Sequence, residues 1–307
     1  MSRSDPCGFL VLDKPAGLTS HGCVSRVRRA YGLRRVGHGG TLDPAVTGVL
    51  PIALGPATRL LPYLSGDKTY RGVIQLGLRT SSDDLEGDVL EQRPLPTLDG
   101  AALEAALAPF RGAIEQVPPQ VSAVHVNGER AYVRARRGEQ TELAARPVRI
   151  EELVLLAWHP QSGRLELQVR CSAGTYIRSL ARDLGDRLGC GGCLAELRRT
   201  AALGFDLRQA LPLEALEEGA PPALIDPLVP LAGLPQRRLA PHEQQGWRCG
   251  RPLEADPPPE GLATAMAVEM AVEMAVAVLT PDGNLAGIAQ AGDDGRLLPK
   301  LVFDAAG

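Results

Sequence analysis

A chain of 307 residues allows one large domain, or a large one carrying a small appendage. Its 44% hydrophobic content excludes a disordered chain, and no apolar run is long and uncharged enough to cross a bilayer, the nearest, Leu262 to Leu279, being interrupted by Glu269 and Glu273. The net charge of −3 argues against a nucleic-acid partner only until it is divided: residues 1–210 carry 27 Lys and Arg against 22 Asp and Glu, residues 211–307 only 6 against 14, so the first two thirds can present a basic face.

No apolar signal segment opens the chain, and a cytoplasmic protein is expected. Gly8 to Leu12 reads as a short apolar strand ending in the turn Asp13-Lys14-Pro15-Ala16-Gly17. Thr19 or Ser20 can cap a helix whose core side is Cys23, Val24, Val27 and Tyr31, and Gly32 can stop it. The glycines of Gly37-His38-Gly39-Gly40-Thr41-Leu42-Asp43-Pro44 predict a loop, after which Val49 to Leu54 returns to a strand. Ile74, Leu76 and Leu78 alternate with Val73, Gln75, Gly77 and Arg79 in a further strand following Tyr70. A turn-rich stretch at Ser81 to Asp84 precedes an Ala- and Leu-rich helix from Ala101 to Ala108, and the Arg-rich segment from Arg130 to Arg149 is less regular.

Leu165, Leu167 and Val169 mark a half-buried strand, and Gly174-Thr175 opens a helix with Leu180, Leu184 and Leu188 on its core side. Beyond about residue 208, Pro, Ala and acidic residues increase. Val276 to Leu279, the turn Pro281-Asp282-Gly283 and Leu285 to Ile288 form a hairpin, followed by a short strand at Leu301 to Phe303. Strands and helices mix without strict alternation, which predicts an α+β fold with a mixed, largely antiparallel central sheet flanked by helices, and a small β-rich C-terminal domain. The tandem repeat from Met266 to Met274 reads as a neutral duplication more readily than as a partner-binding Met stripe.

Six cysteines in a cytosolic setting are expected to stay reduced, and Cys190 and Cys193, a single C-x-x-C in a Gly-rich turn, read as structural thiols rather than a metal or redox site. The Gly-rich loop lacks the Gly-Lys-Ser/Thr ending of a phosphate-binding loop and the spacing of a dinucleotide fingerprint. It offers one carboxylate, Asp43. A lone Asp before Pro is most often a turn residue, so this segment alone carries no function.

The segments taken together do. Asp13-Lys14-Pro15-x-Gly17-x-Thr19-Ser20, the loop to Asp43-Pro44, Lys68-x-Tyr70, Thr80-x-Ser82-x-Asp84-x-x-Gly87, Pro118-Pro119-x-x-Ser122-Ala123, Val126-Asn127-Gly128, Gly174-Thr175-Tyr176-Ile177-Arg178 and Leu197-Arg198-Arg199-Thr200 run in one order over residues 8–205. In that order they resemble the bacterial, TruB-type family of tRNA pseudouridine synthases acting on uridine 55. The resemblance implies a pseudouridine synthase catalytic domain over residues 1–232 and a divergent PUA-like domain over 233–307. By that resemblance Asp43 is the catalytic aspartate, Tyr70 stacks on the target base, and Arg178 pairs with Asp43. Tyr176 lines the same pocket, His38 displaces or replaces the extruded nucleotide, Lys14 supports the active-site loop or the RNA, and Leu197 packs at the pocket wall.

The implied reaction turns a uridine of the tRNA T loop into pseudouridine, with no cofactor and no metal. The bland readings are a core Tyr70, a surface Arg178 and a satisfied loop histidine at His38. The chemistry favours the functional ones, since a base inside a folded loop must be flipped out and stacked on an aromatic, and guanidinium and carboxylate match as a two-pronged pair. A monomer binding the tRNA T arm, with no membrane association, is expected. The alternatives are a tRNA-folding chaperone and a related synthase acting on another RNA. The C-terminal domain is expected to add affinity but no catalytic group, so that a soluble fragment ending near Pro230 binds tRNA less well yet still turns over at high RNA concentration.

Overall fold

The computed structural model describes residues 6–303 except 127, 218, 255–274 and 293–294. Asn127 and the Met266 to Met274 repeat therefore lie outside the described residues. The first strands are β1 (Gly8–Lys14), β2 (Val36–His38), β3 (Thr47–Leu54), β4 (Lys68–Leu76), β5 (Leu78–Thr80) and β6 (Val89–Gln92). Next come β7 (Gly112–Gln116), β8 (His125–Val126), β9 (Glu129–Arg130), β10 (Arg146–His159), β11 (Arg164–Cys171), β12 (Gly192–Ala202), β13 (Phe205–Asp206) and β14 (Leu211–Pro212). The C-terminal strands are β15 (Gln236–Arg238), β16 (Leu253–Glu254), β17 (Ala275–Leu279), β18 (Leu285–Ala291) and β19 (Arg296–Val302). The helices are α1 (Ser20–Tyr31), α2 (Gly100–Leu107), α3 (Ala131–Arg136), α4 (Ile177–Arg187) and α5 (Gln244–Arg248).

A ten-stranded sheet runs in the order β14-β1-β3-β12-β4-β11-β10-β7, with β13 on β12 and β2 on β3. Only the β1/β14 and β12/β3 pairings are parallel, so the expected mixed, largely antiparallel sheet is found. A separate five-stranded sheet, β15-β17-β18-β19-β16, forms the β-rich C-terminal domain.

Strand β1 reads as an unbroken apolar run because both of its faces are covered. Leu10 and Leu12 join Leu50, Ile52 and Ile74 under Cys23, Val24 and Val27 of α1, Leu103 and Leu107 of α2, and Leu180 and Leu184 of α4. Phe9 and Val11 turn the other way, into a second core with Val49, Ala53, Leu60 and Phe205 that also takes Ala277, Ile288 and Leu301 from the C-terminal sheet. The two sheets thus share one apolar core. Helix α1 starts where the Thr19 hydroxyl accepts from Gly22 N at 3.0 Å and ends at Gly32, whose φ of 63° fits a left-handed cap.

Three local expectations change, and one central strand had no expectation. The Gly-rich stretch begins as strand β2, paired to β3 through Val36 and Leu54. The Arg-rich segment contains helix α3 and the start of β10. Strand β12, central to the sheet, has no clean alternation because its pairing with β4 slips at Leu194/Glu196 and again at Arg199/Ala201. The last strand begins at Arg296, well before Leu301. Among the described residues no helix is long and apolar enough to cross a membrane.

Candidate active site

Asp43 lies in the loop between β2 and β3, and that loop is lashed to its surroundings. Ser20 Oγ accepts from Leu42 N at 2.8 Å and lies 3.2 Å from Leu42 O. Lys14, wholly buried, donates its ammonium protons to the carbonyls of Pro15, Pro44 and Val46 at 2.9, 3.0 and 2.7 Å. Burial lowers its pKa, against the opposing pull of the Cys23 thiol and the Asp43 carboxylate. Of the two roles the resemblance allowed Lys14, this geometry fits support of the loop.

Arg178 lies in the first turn of α4 and is buried, its side chain 7% exposed against 45% for Asp43. Its Nη2 stands 3.0 Å from Asp43 Oδ2. The two-pronged match with Asp43 is not what forms. Nη1 is drawn away to the Ser82 carbonyl at 3.1 Å and to Asp84 Oδ2 at 3.5 Å, while Nη2 also donates to Val121 O at 2.9 Å. One guanidinium thus bridges two carboxylates on two loops.

Asp84 belongs to the turn after β5. Its Oδ1 accepts from Ser82 Oγ at 2.5 Å and from Glu86 N at 3.1 Å. The turn docks on β12 at its first bulge, with Leu85 N donating to Leu194 O and Leu194 N to Asp83 O. Asp83, at a φ of 61°, is held by Arg182 at 2.9 Å. Burial raises the Asp83 pKa, with Arg182 opposing.

A cavity of about 510 Å³ opens beside these groups. Asp43, Arg178 and Leu197 line it, as do Asp84, Leu85 and, from the exposed face of the sheet, Arg71, Arg164 and Arg198. Each of those three arginines already holds a carboxylate: Arg71 with Glu166 at 3.0 Å, Arg198 with Asp13 at 2.7 Å, and Arg164 with Glu196. Incoming phosphates would have to displace these partners, which for exposed pairs costs little.

The other expected residues sit around this centre. Tyr70 is 7% exposed; its strand neighbours Arg71 and Val73 line the cavity, and it does not. Burial raises its pKa, with Arg199 opposing and Asp43 adding to the rise. Tyr176 caps α4, its backbone held in both directions by the Gln116 amide, and packs on the small cluster of Val124, Ala131 and Leu143. His38 Nδ1 accepts from Gly40 N at 3.3 Å, and its ring meets His21 edge-on with centroids 5.4 Å apart. Burial, His21 and Arg199 all lower the His38 pKa.

Asp84 and Arg199 carry no role in the sequence reading, although both stand in the motifs quoted above. Their signal was there; what each side chain touches was not. Cys190 and Cys193 are buried, and burial pushes the Cys193 thiol up to about 11. Among the described residues no cluster of His, Cys, Asp and Glu could hold a metal ion.

Likeness to solved structures places the fold in a class. The chain matches a Cbf5–Nop10–Gar1 complex at TM-score 0.67 and 26% identity, covering 92% of this chain and 78% of that one. It matches an H/ACA RNP bound to a substrate RNA containing 2'-deoxyuridine at TM-score 0.69 over 96% and 84%, a likeness of fold alone at 22% identity. This is the pseudouridine synthase fold.

Family descriptions then narrow the class. "TruB family pseudouridylate synthase (N terminal domain)" matches residues 28–177, and "tRNA pseudouridylate synthase B C-terminal domain" matches 178–223. Proteins named tRNA pseudouridine synthase B from Parasynechococcus marenigrum (strain WH8102) and Synechococcus sp. (strain WH7803) are 64% and 60% identical, each across 98% of this chain and 99% of their own length. The chain belongs to the TruB family of pseudouridine synthases.

Proposed function

We propose that this chain isomerises uridine 55 in the T loop of tRNA to pseudouridine. The observation that carries the reading is Asp43, half open to a cavity and held by the nearly sealed Arg178. The relatives of 60% identity and more bear the name of tRNA pseudouridine synthase, which supports tRNA as the substrate.

In this reading the bond from ribose C1′ to uracil N1 breaks, the base turns within the cavity, and C5 bonds to C1′. The C5 proton is lost and N1, freed from C1′, gains one, so nothing is consumed. Asp43 acts on the ribose, as nucleophile at C1′ or as base at C2′. Arg178 keeps the carboxylate aimed while Asp84 holds the far side of the guanidinium. Tyr70 supplies the aromatic face for the flipped base, and the side chains that cover it must shift to admit one. His38 fills the place the base leaves, Tyr176 and Leu197 wall the pocket, and Lys14 fixes the loop. The catalytic domain spans 1–232, and the C-terminal domain, 233–307, is PUA-like and contributes affinity for the tRNA.

The test is incubation of the purified chain with an unmodified tRNA transcript, followed by mapping of pseudouridine. Modification at position 55 is expected for the wild type and none for Asp43→Asn, with tRNA affinity changed by no more than a few-fold. An Asn variant that turns over at the wild-type rate removes Asp43 from the chemistry. Modification of another site redirects the specificity.

A further inference from the structure

Arg199 stands directly opposite Tyr70, β12 against β4, and is wholly buried. Opposed residues present their side chains on one face, with Cβ atoms about 5 Å apart. Arg199 Nε donates to Val49 O at 2.7 Å, and Nη2 to Gly40 O at 3.2 Å. The Tyr70 hydroxyl lies beside the guanidinium and interacts with it. Nη1 is buried and makes no hydrogen bond of ordinary geometry.

The Gly-rich loop rests on this group. A Cβ at Gly40, where φ is 120°, would stand 3.4 Å from Lys68 Cε and 3.5 Å from Arg199 Nη1. Lys14, Lys68 and His38 lie near enough that the Arg199 charge lowers the pKa of each. Among the described residues no carboxylate forms an ion pair with Arg199. Sealing a cation among carbonyls and other cations is costly, and a site needing only bulk would be filled by an apolar side chain. What a guanidinium adds is a rigid plane with donors on several sides. Here those donors reach the strand that follows Asp43, the loop that precedes it, and the aromatic ring opposite.

We propose that Arg199 is a positioning residue for the isomerisation, setting the Tyr70 ring and the Gly40–Asp43 loop at a fixed distance and tilt. A base stacked on Tyr70 then meets Asp43 in reacting geometry. The inference rests on the roles given to Asp43 and Tyr70 above. A lysine at 199 reaches one of the three partners and leaves the others loose.

The test uses the full chain, an unmodified tRNA transcript, single-turnover pseudouridine formation, tRNA binding and thermal melting. Arg199→Lys is expected to melt cooperatively and to bind tRNA within about threefold, yet to lose at least about thirtyfold in single-turnover rate, as slight misplacement at a reacting centre does. In a Tyr70→Phe background the same change is expected to cost at least about threefold less, because the link through the hydroxyl is already cut. A folded Arg199→Lys variant with the wild-type rate overturns the proposal, and so do costs that multiply in full. Should no Arg199 variant fold, Tyr70→Phe decides. It keeps the ring and drops only the hydroxyl, so a loss of about tenfold with unchanged binding is expected, and a wild-type rate overturns the link. A wild type that forms no pseudouridine, or an active Asp43→Asn, sinks the functional reading itself and takes this inference with it.

Discussion

Asp43 and Arg178 differ in exposure: the carboxylate faces the cavity, and the cation paired with it, which the proposed mechanism uses to aim it, is buried. Because the guanidinium spans Asp43, Asp84 and two carbonyls, a point charge cannot replace it. Arg178→Lys is expected to slow single-turnover pseudouridine formation at least about a hundredfold, roughly 2.7 kcal/mol, with tRNA binding nearly unchanged. Arg208→Ala, a change at an exposed side chain that does not line the cavity, is the control.

His38 gives a pH signature. Its pKa in the folded chain lies below the ordinary 6.5, so between that lowered value and 6.5 the unfolded chain holds a proton that the folded loop refuses. This contribution to stability is present above 6.5 and is lost as the pH falls through the lowered value. Urea melts of wild type and His38→Gln at several pH values across that window check the sign, the wild type being expected to lose more stability on acidification. At this scale the sequence showed which residue types to seek, and Asp43 and Arg178 do meet. It could not show that Arg178 serves a second carboxylate, because Asp84 comes close only through the docking of its turn on β12. Arg199 was hidden in a chain where arginine is the usual cation.

Among the elements, β12 decides how the site is assembled. It pairs with β4 on one side and, in parallel, with β3 on the other, and its first bulge receives the turn carrying Asp84. Alternation of apolar and polar residues is the sequence signal of a strand, and two bulges erase it, so this central strand was missed, as were β7 and β10. The helices α1, α2 and α4 were legible because their apolar stripes recur at helical spacing under one face of the sheet. Gly48, the partner of Arg199 on β3, has a φ of 103°, and a Cβ there would fall 2.1 Å from the Arg199 carbonyl oxygen. Gly48→Ala is therefore expected to destabilise the fold by at least about 3 kcal/mol, from backbone strain and overpacking together. A denaturation midpoint equal to wild type would show that β3 and β12 can part without cost.

The whole molecule departs from the expectation that its C-terminal part is an optional attachment. Composition marks a change near residue 208, but an apolar face shared between two sheets leaves no mark in composition. Phe9, Phe205, Ala277, Ile288 and Leu301 belong to one core, and Arg59 adds a hydrogen bond to the Val302 carbonyl. Ending the chain near Pro230 would bare that face. Such a fragment is expected to aggregate or to melt without a cooperative transition, checked by solubility and circular dichroism. A soluble fragment with a sharp melt would restore the view of two independent units.

The same shared core sets an order of events during synthesis. Strand β1 leaves the ribosome long before β18 and β19, nearly three hundred residues later, yet its second face waits for them and its edge waits for β14. The proposed reacting centre is no more local, drawing on residues 43, 70, 84, 178 and 199. Contacts so distant along the chain close late and leave apolar surface bare in the meantime. A growing chain would thus hold no half-built, leaky version of the enzyme: competence arrives in one late step, after the last strand has been made, and until then the nascent protein is a client for chaperones.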